Sequence, residues 1–135
     1  MRIGRSLKPF RHPLPWAVVW MLGIAAVVVL SLVPPKDMPP EPLGSDKLGH
    51  FLAYACVMAW SVQIHARRRS WTANALLLVL LGIGLEFMQG AMHVGRSQDP
   101  MDALADTLGV IGGFATCLTP MRDALLRLDR RAWRP

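Results

Sequence analysis

The sequence predicts an all-α integral membrane protein, a single domain over residues 1–135 built as a four-helix bundle with both termini cytoplasmic. Three observations carry that expectation. The chain is 53% hydrophobic and only 18% charged, which is outside the usual composition of a polar-surfaced soluble domain. Four apolar runs, at about 16–33, 48–64, 71–92 and 101–119, each come close to the length a helix needs to cross a hydrocarbon core. Lysine and arginine alternate in density from one connection to the next, as they do in multi-pass proteins.

The first run is uncharged over 18 residues and follows Arg2, Arg5, Lys8 and Arg11. A basic start of this kind resembles a secretory signal, but the apolar core is long and ends in SLVPPK rather than in a small-residue cleavage site, so an uncleaved anchor is expected. The second run lies between Asp46 and Lys47 on one side and His65 with Arg67, Arg68 and Arg69 on the other. The third carries Glu86 and Gln89 near its end, inside GLEFMQG. The fourth carries Asp102 and Asp106, and Pro120 marks its end.

Twelve of the 15 basic residues fall in the N-terminal tail, the 65–70 loop and the C-terminal tail, whereas the alternate loops hold Lys36, Lys47 and Arg96. The basic excess therefore orients the helices and calls for no nucleic-acid partner. The first outer loop, PPKDMPPEPLGSDK, has five prolines and reads as a stiff surface connector. The basic tail at 120–135 reads either as an amphipathic helix on anionic lipid, with Leu125 and Leu128 on one face, or as a frayed end that only enforces topology. Trp16, Trp20, Trp71 and Trp133 are expected as interface anchors, and His12, His65 and His93 as boundary residues. Cys56 and Cys117 have no CxxC spacing and read as small buried hydrophobes.

Any chemistry must come from polar residues within the runs, because Walker, GxSxG, HExxH and dinucleotide signatures are missing. His50 and Tyr54 are four apart; Glu86, Gln89 and His93 follow at three and four; Asp102 and Asp106 are four apart. Each set lies on one helical face, and the topology brings all three stripes to the outer end. Carboxyl groups facing lipid would each cost about 2.5 kcal/mol or more, so pairing with Lys47, Arg96 or the histidines is expected. Ala105, Gly109 and Gly113 form a small-residue ridge expected to pack inside the bundle, with Gly82 and Gly84 as candidate close-approach partners and a dimer contact as the lesser use. No oligomeric state follows from the sequence.

The stretches DKLGHFLAY, LEFMQG and GRSQDPMDALADTLGVIGG, in that order, resemble the VanZ-like family of small bacterial membrane proteins over about residues 44–115. Asp46, Lys47, His50 and Tyr54 match the first motif, Glu86 and Gln89 the second, and Arg96, Asp102, Gly109 and Gly113 the third. Asp106 departs from the pattern, where the family more often has asparagine. The resemblance implies a multi-pass protein of the bacterial cytoplasmic membrane, in a family named for a member linked to resistance to the glycopeptide teicoplanin.

Four functional readings follow for the cluster of Lys47, His50, Tyr54, Glu86, Gln89, Arg96, Asp102 and Asp106. The favoured one is an outward-facing polar pocket that binds a lipid head group or envelope precursor without chemistry, and with no cofactor or metal. A polar network that only fixes helix register is the structural alternative. An intramembrane hydrolase or transferase would use Glu86, His50, Asp102 and Asp106 to hold a divalent cation and Arg96 to hold a lipid-linked phosphate, although the ligand spacing is not a recognised one. A proton-coupled transporter ranks below these, because four short helices are a small scaffold for alternating access.

Overall fold

The computed structural model describes residues 6–34, 45–93 and 98–133. Arg96 and most of the proline-rich connection lie outside the described residues. Five α-helices, α1 (Pro13–Leu32), α2 (Ser45–Ile64), α3 (Arg68–Met92), α4 (Pro100–Ala115) and α5 (Ala124–Ala132), with 3-10 turns at Thr116–Leu118 and Pro120–Asp123, make the described chain all-helical.

The helices begin earlier than the apolar runs suggested. Their first turns are polar or proline-led: Pro13 lies in the first turn of α1, Asp46 and Lys47 in that of α2, Arg68 and Arg69 in that of α3. Proline fits a first turn because its missing N–H has no intrahelical partner there. α3 ends at His93, whose left-handed backbone (φ 51°) closes the helix.

Three helices are long and apolar enough to cross a membrane: Pro13–Leu32, Arg68–Met92 and Pro100–Leu118 with its 3-10 extension. At about 1.5 Å per residue a helix of 20 residues covers roughly 30 Å, the thickness of the hydrocarbon core. Their outward faces are apolar, with Val18, Leu22 and Val29 on α1, Leu77, Leu80 and Phe87 on α3, and Leu104, Leu108 and Ile111 on α4 all exposed. In water such a surface would drive aggregation, whereas in lipid it is the matching solvent.

α2 is not among these three, since its first half carries Asp46, Lys47 and His50. Its place in the fold explains this. It packs against α1, α3, α4 and α5, and Tyr54, Val57, Met58, Ser61, Val62, Ile64 and His65 at its end are all buried. A helix shielded by its neighbours can carry polar side chains that a lipid-facing helix cannot. The main core forms around it from Val27, Tyr54, Val57, Met58, Val62, Leu78, Leu85 and Val110.

The closest packing is between α2 and α4. A Cβ at Gly109 would overlap the carbonyl oxygen of Phe51, and one at Gly113 would overlap that of Ala55 and lie 2.7 Å from Met58 Cβ. Ala105, one turn earlier, is half-buried. The small-residue ridge thus meets the α2 backbone rather than Gly82 and Gly84. Gly84 has nothing within 4 Å, and Gly82 makes room for the Asp106 carboxylate, 2.9 Å from where its Cβ would stand.

The N-terminal segment and α5 close one end of the molecule. Lys8 N–H donates to Ile64 O at 2.8 Å, Ala66 N–H to Ser6 O at 2.8 Å, and Leu7 and His65 form an antiparallel bridge. Phe10, Ile64 and Leu125 make a second small core there, walled by Trp16, Trp20 and Trp60. Two expectations change at this end. The tail is not frayed, since α5 buries Leu125 and Asp129, and Leu128 does not share that face but is 53% exposed. Three of the tryptophans expected as interface anchors turn their indole N–H groups to protein: Trp16 to Asp129, Trp20 to Val57 O and Trp71 to His65 O. The cysteines also differ, Cys56 being exposed and Cys117 half-buried, because the outer sides of these helices are apolar too.

Candidate functional site

The end opposite the N-terminal segment and α5 gathers the polar residues of α2, α3 and α4. His50 on α2 reaches α4 with both ring nitrogens: Nδ1 is 2.8 Å from Asp106 Oδ1 and Nε2 is 3.8 Å from Asp102 Oδ2. Lys47, one turn earlier, binds Asp99 Oδ2 at 2.5 Å and also Asp102, with Asp46 Oδ2 at 3.7 Å. Spacings of three and four on α2 and of four on α4 put these partners face to face along one seam.

Glu86 is buried and accepts the backbone N–H of Asp99 at 3.0 Å. Gln89 is buried one turn further and donates to Ser31 O on α1 at 2.6 Å. Tyr54 is buried in the main core, one turn below His50 on α2. His93 is exposed at the helix end and outside this group. Whether Glu86 meets Arg96 falls outside the described residues.

Accessibility falls steadily with depth. At the rim the Lys47 and Asp99 side chains are 35% and 42% exposed, His50 and Asp102 below them are 17% and 13%, and Asp106 is 3%. A solute arriving from the aqueous side therefore meets the Lys47–Asp99 pair first. Every buried side-chain N or O among the described residues has a hydrogen-bond partner, as a low-dielectric site requires.

Asp99 is the residue that sequence reasoning passed over. It caps α4 by accepting Met101 N–H at 2.9 Å, pairs with Lys47 and lends its own N–H to Glu86. The signal was present, because an aspartate directly before proline at the start of an apolar run is an N-cap followed by Pro at N1. Ser31 was missed because it meets Gln89 through its backbone carbonyl, a contact that no sequence pattern advertises.

The same ion pair gives a pH prediction. The Lys47 ammonium, and after it the Met101 N–H, hold the Asp99 carboxyl below the ordinary aspartate range. A depressed folded-state pKa stabilises the protein at pH above the unfolded value, and that share is lost as pH falls through the lower folded one. The melting temperature of the detergent-extracted protein should therefore fall below the ordinary aspartate range. Lys47→Met, which returns the folded-state value towards the unfolded one, should lower the melting temperature at neutral pH and make its fall in acid shallower, and an unchanged depth of fall would show that the pair does not matter to stability.

Two of the carboxylates that the hydrolase reading would give to a cation, Asp102 and Asp106, are engaged by Lys47 and His50. Among the described residues no three His, Cys, Asp or Glu side chains are grouped so as to hold a metal ion. The arrangement can fix charge, recognise hydrogen-bonding groups at its rim and pass a proton along His50 and Asp106. Comparison with known proteins adds nothing further: no family model, no curated protein and no solved structure matches the chain.

Proposed function

We propose that this chain is a VanZ-like protein of the bacterial cytoplasmic membrane, a four-helix bundle with both termini in the cytoplasm, that binds a polar or lipid-linked envelope ligand at its outer end. The orientation rests on the basic residues of the 65–70 loop and both tails, which mark the cytoplasmic side. One observation carries the binding reading. A graded polar seam runs from the accessible Lys47–Asp99 rim down to buried Asp106, set among three helices whose outer faces are apolar. Ionisable residues kept at membrane depth are costly, and they are the usual mark of a functional site. The family resemblance supports an envelope role linked to teicoplanin.

A second reading, a network that only fixes helix register, is favoured by the complete pairing of the buried polar groups. The two readings separate on folded variants. Lys47→Met, Glu86→Gln and Arg96→Ala should keep the parent's elution profile while losing binding of a lipid-linked envelope precursor, and teicoplanin sensitivity should return in expressing cells. Unchanged binding and sensitivity in folded variants would remove the binding reading. Lost folding in all three would favour the network.

A further inference from the structure

The closed end of the molecule presents a cationic face on which one acid is buried and another is paired. Asp129 is wholly buried, accepting Trp16 Nε1–H at 2.8 Å and the Arg11 backbone N–H at 2.7 Å. Asp123 is taken up by Lys8, whose ammonium is buried at 2.9 Å from it. On α5, Leu125 and Asp129 are four apart and make the buried face, whereas Arg127 and Arg131, also four apart, lie opposite. Arg130 and Arg122 are exposed beside them, and the exposed arginines at 67–69 open α3 at the same end.

Large apolar side chains are exposed among these charges. Leu118 is 86% exposed and Met121 66%, both in the turns joining α4 to α5, with Leu128 and Trp133 on α5 itself. A face meant for nucleic acid or an acidic protein would not need such residues. A face set at the boundary between head groups and acyl chains would.

We propose that α5 and the turns before it form a preformed docking surface for anionic phospholipid head groups of the leaflet at this end. Three features support that occupant over others. The surface has net positive charge, because Asp129 is buried, Asp123 is paired with Lys8, and the arginines around them are exposed. It continues directly from the end of the Pro100–Leu118 span, which places it at the membrane surface. Asp129 and Lys8 also anchor α5, so little ordering remains to be done on binding. This inference does not depend on the ligand proposed for the opposite end.

The test uses the full chain in a neutral detergent, titrated with phosphatidylglycerol or phosphatidylcholine while its melting temperature is followed. Phosphatidylglycerol should stabilise at much lower concentration than phosphatidylcholine, and added salt should weaken the effect. Arg127→Ala, Arg130→Ala and Arg131→Ala combined should raise the phosphatidylglycerol concentration needed by about tenfold to a hundredfold, given the typical contribution of each basic residue near an anionic surface. The corresponding triple lysine variant should keep the preference, which separates charge from structural damage. Equal response of the parent to both lipids would overturn the proposal, as would an alanine variant that keeps the preference. Tighter binding of an acidic peptide or of DNA than of phosphatidylglycerol would overturn it as well.

Discussion

Gly113→Val is expected to leave little or no folded protein. The α2 backbone stands where the new side chain would begin, with Met58 Cβ at 2.7 Å and Ala59 N at 2.9 Å from the position of a Cβ. Backbone in the middle of two packed helices cannot swing aside as a side-chain tip can, so the cost should exceed about 3 kcal/mol, the upper end of ordinary overpacking. That is a large share of a typical total stability of about 5–15 kcal/mol. Gly109→Val should behave alike, because its Cβ would meet the Phe51 carbonyl. Two other glycines are internal controls. Gly112→Ala meets only Phe51 Cζ at an ordinary 3.6 Å, and Gly84→Ala meets nothing within 4 Å. The second should gain up to about 1 kcal/mol of helix propensity. Size-exclusion profiles of detergent-extracted protein check the series, and a Gly113→Val variant that elutes like the parent would refute the close contact.

Asp129→Ala should have the next largest effect. It strips the acceptor from the Trp16 indole and the Arg11 amide at a wholly buried position. Leaving buried donors without a partner costs about 1–3 kcal/mol each, so a loss on the order of 3 kcal/mol is expected. The damage should be local. Proteolysis after Arg11 and within α5 should accelerate, while the α2–α4 seam at the other end keeps its protection. Asp129→Asn, which retains one acceptor oxygen, should lose less. A uniform loss of protection along the whole chain would argue against a locally closed end.

The long apolar helices were legible in the sequence because a membrane-facing exterior is a matter of composition, and α1, α3 and α4 are apolar enough over their length to show it. Their starts were less so. Asp46 and Lys47, or Arg68 and Arg69, look like loop to a hydropathy window, yet a first helical turn welcomes polar residues. Within the cluster, the spacing of His50 from Tyr54 and of Asp102 from Asp106 pointed to facing stripes, since side chains three or four apart share a helix face. The same logic could not find Asp99, whose role comes from its position before a proline, nor could it say which neighbour the Gly109 ridge would approach.

The C-terminal segment was the least legible. Charge in a basic tail normally means exposure, so nothing in the sequence sets Asp129 apart between Leu128 and Arg130. No spacing rule distinguishes an aspartate that turns inward to meet a tryptophan more than 100 residues away, because that choice is made by tertiary contact. The tryptophans carry the same lesson. Their residue type suits an interface, but the direction of each N–H is decided by whichever carbonyl or carboxylate lies within reach.

The clasp between Asp129 and the segment ahead of α1 also sets an order of events during synthesis. Arg11 and Trp16 leave the ribosome long before the carboxylate that receives their N–H groups, which is made more than 100 residues later. These donors must therefore stay with other partners until every helix in between has been made. A segment made early is thus completed late, and a ribosome that stalls within α4 would leave the Arg11 and Trp16 donors still open.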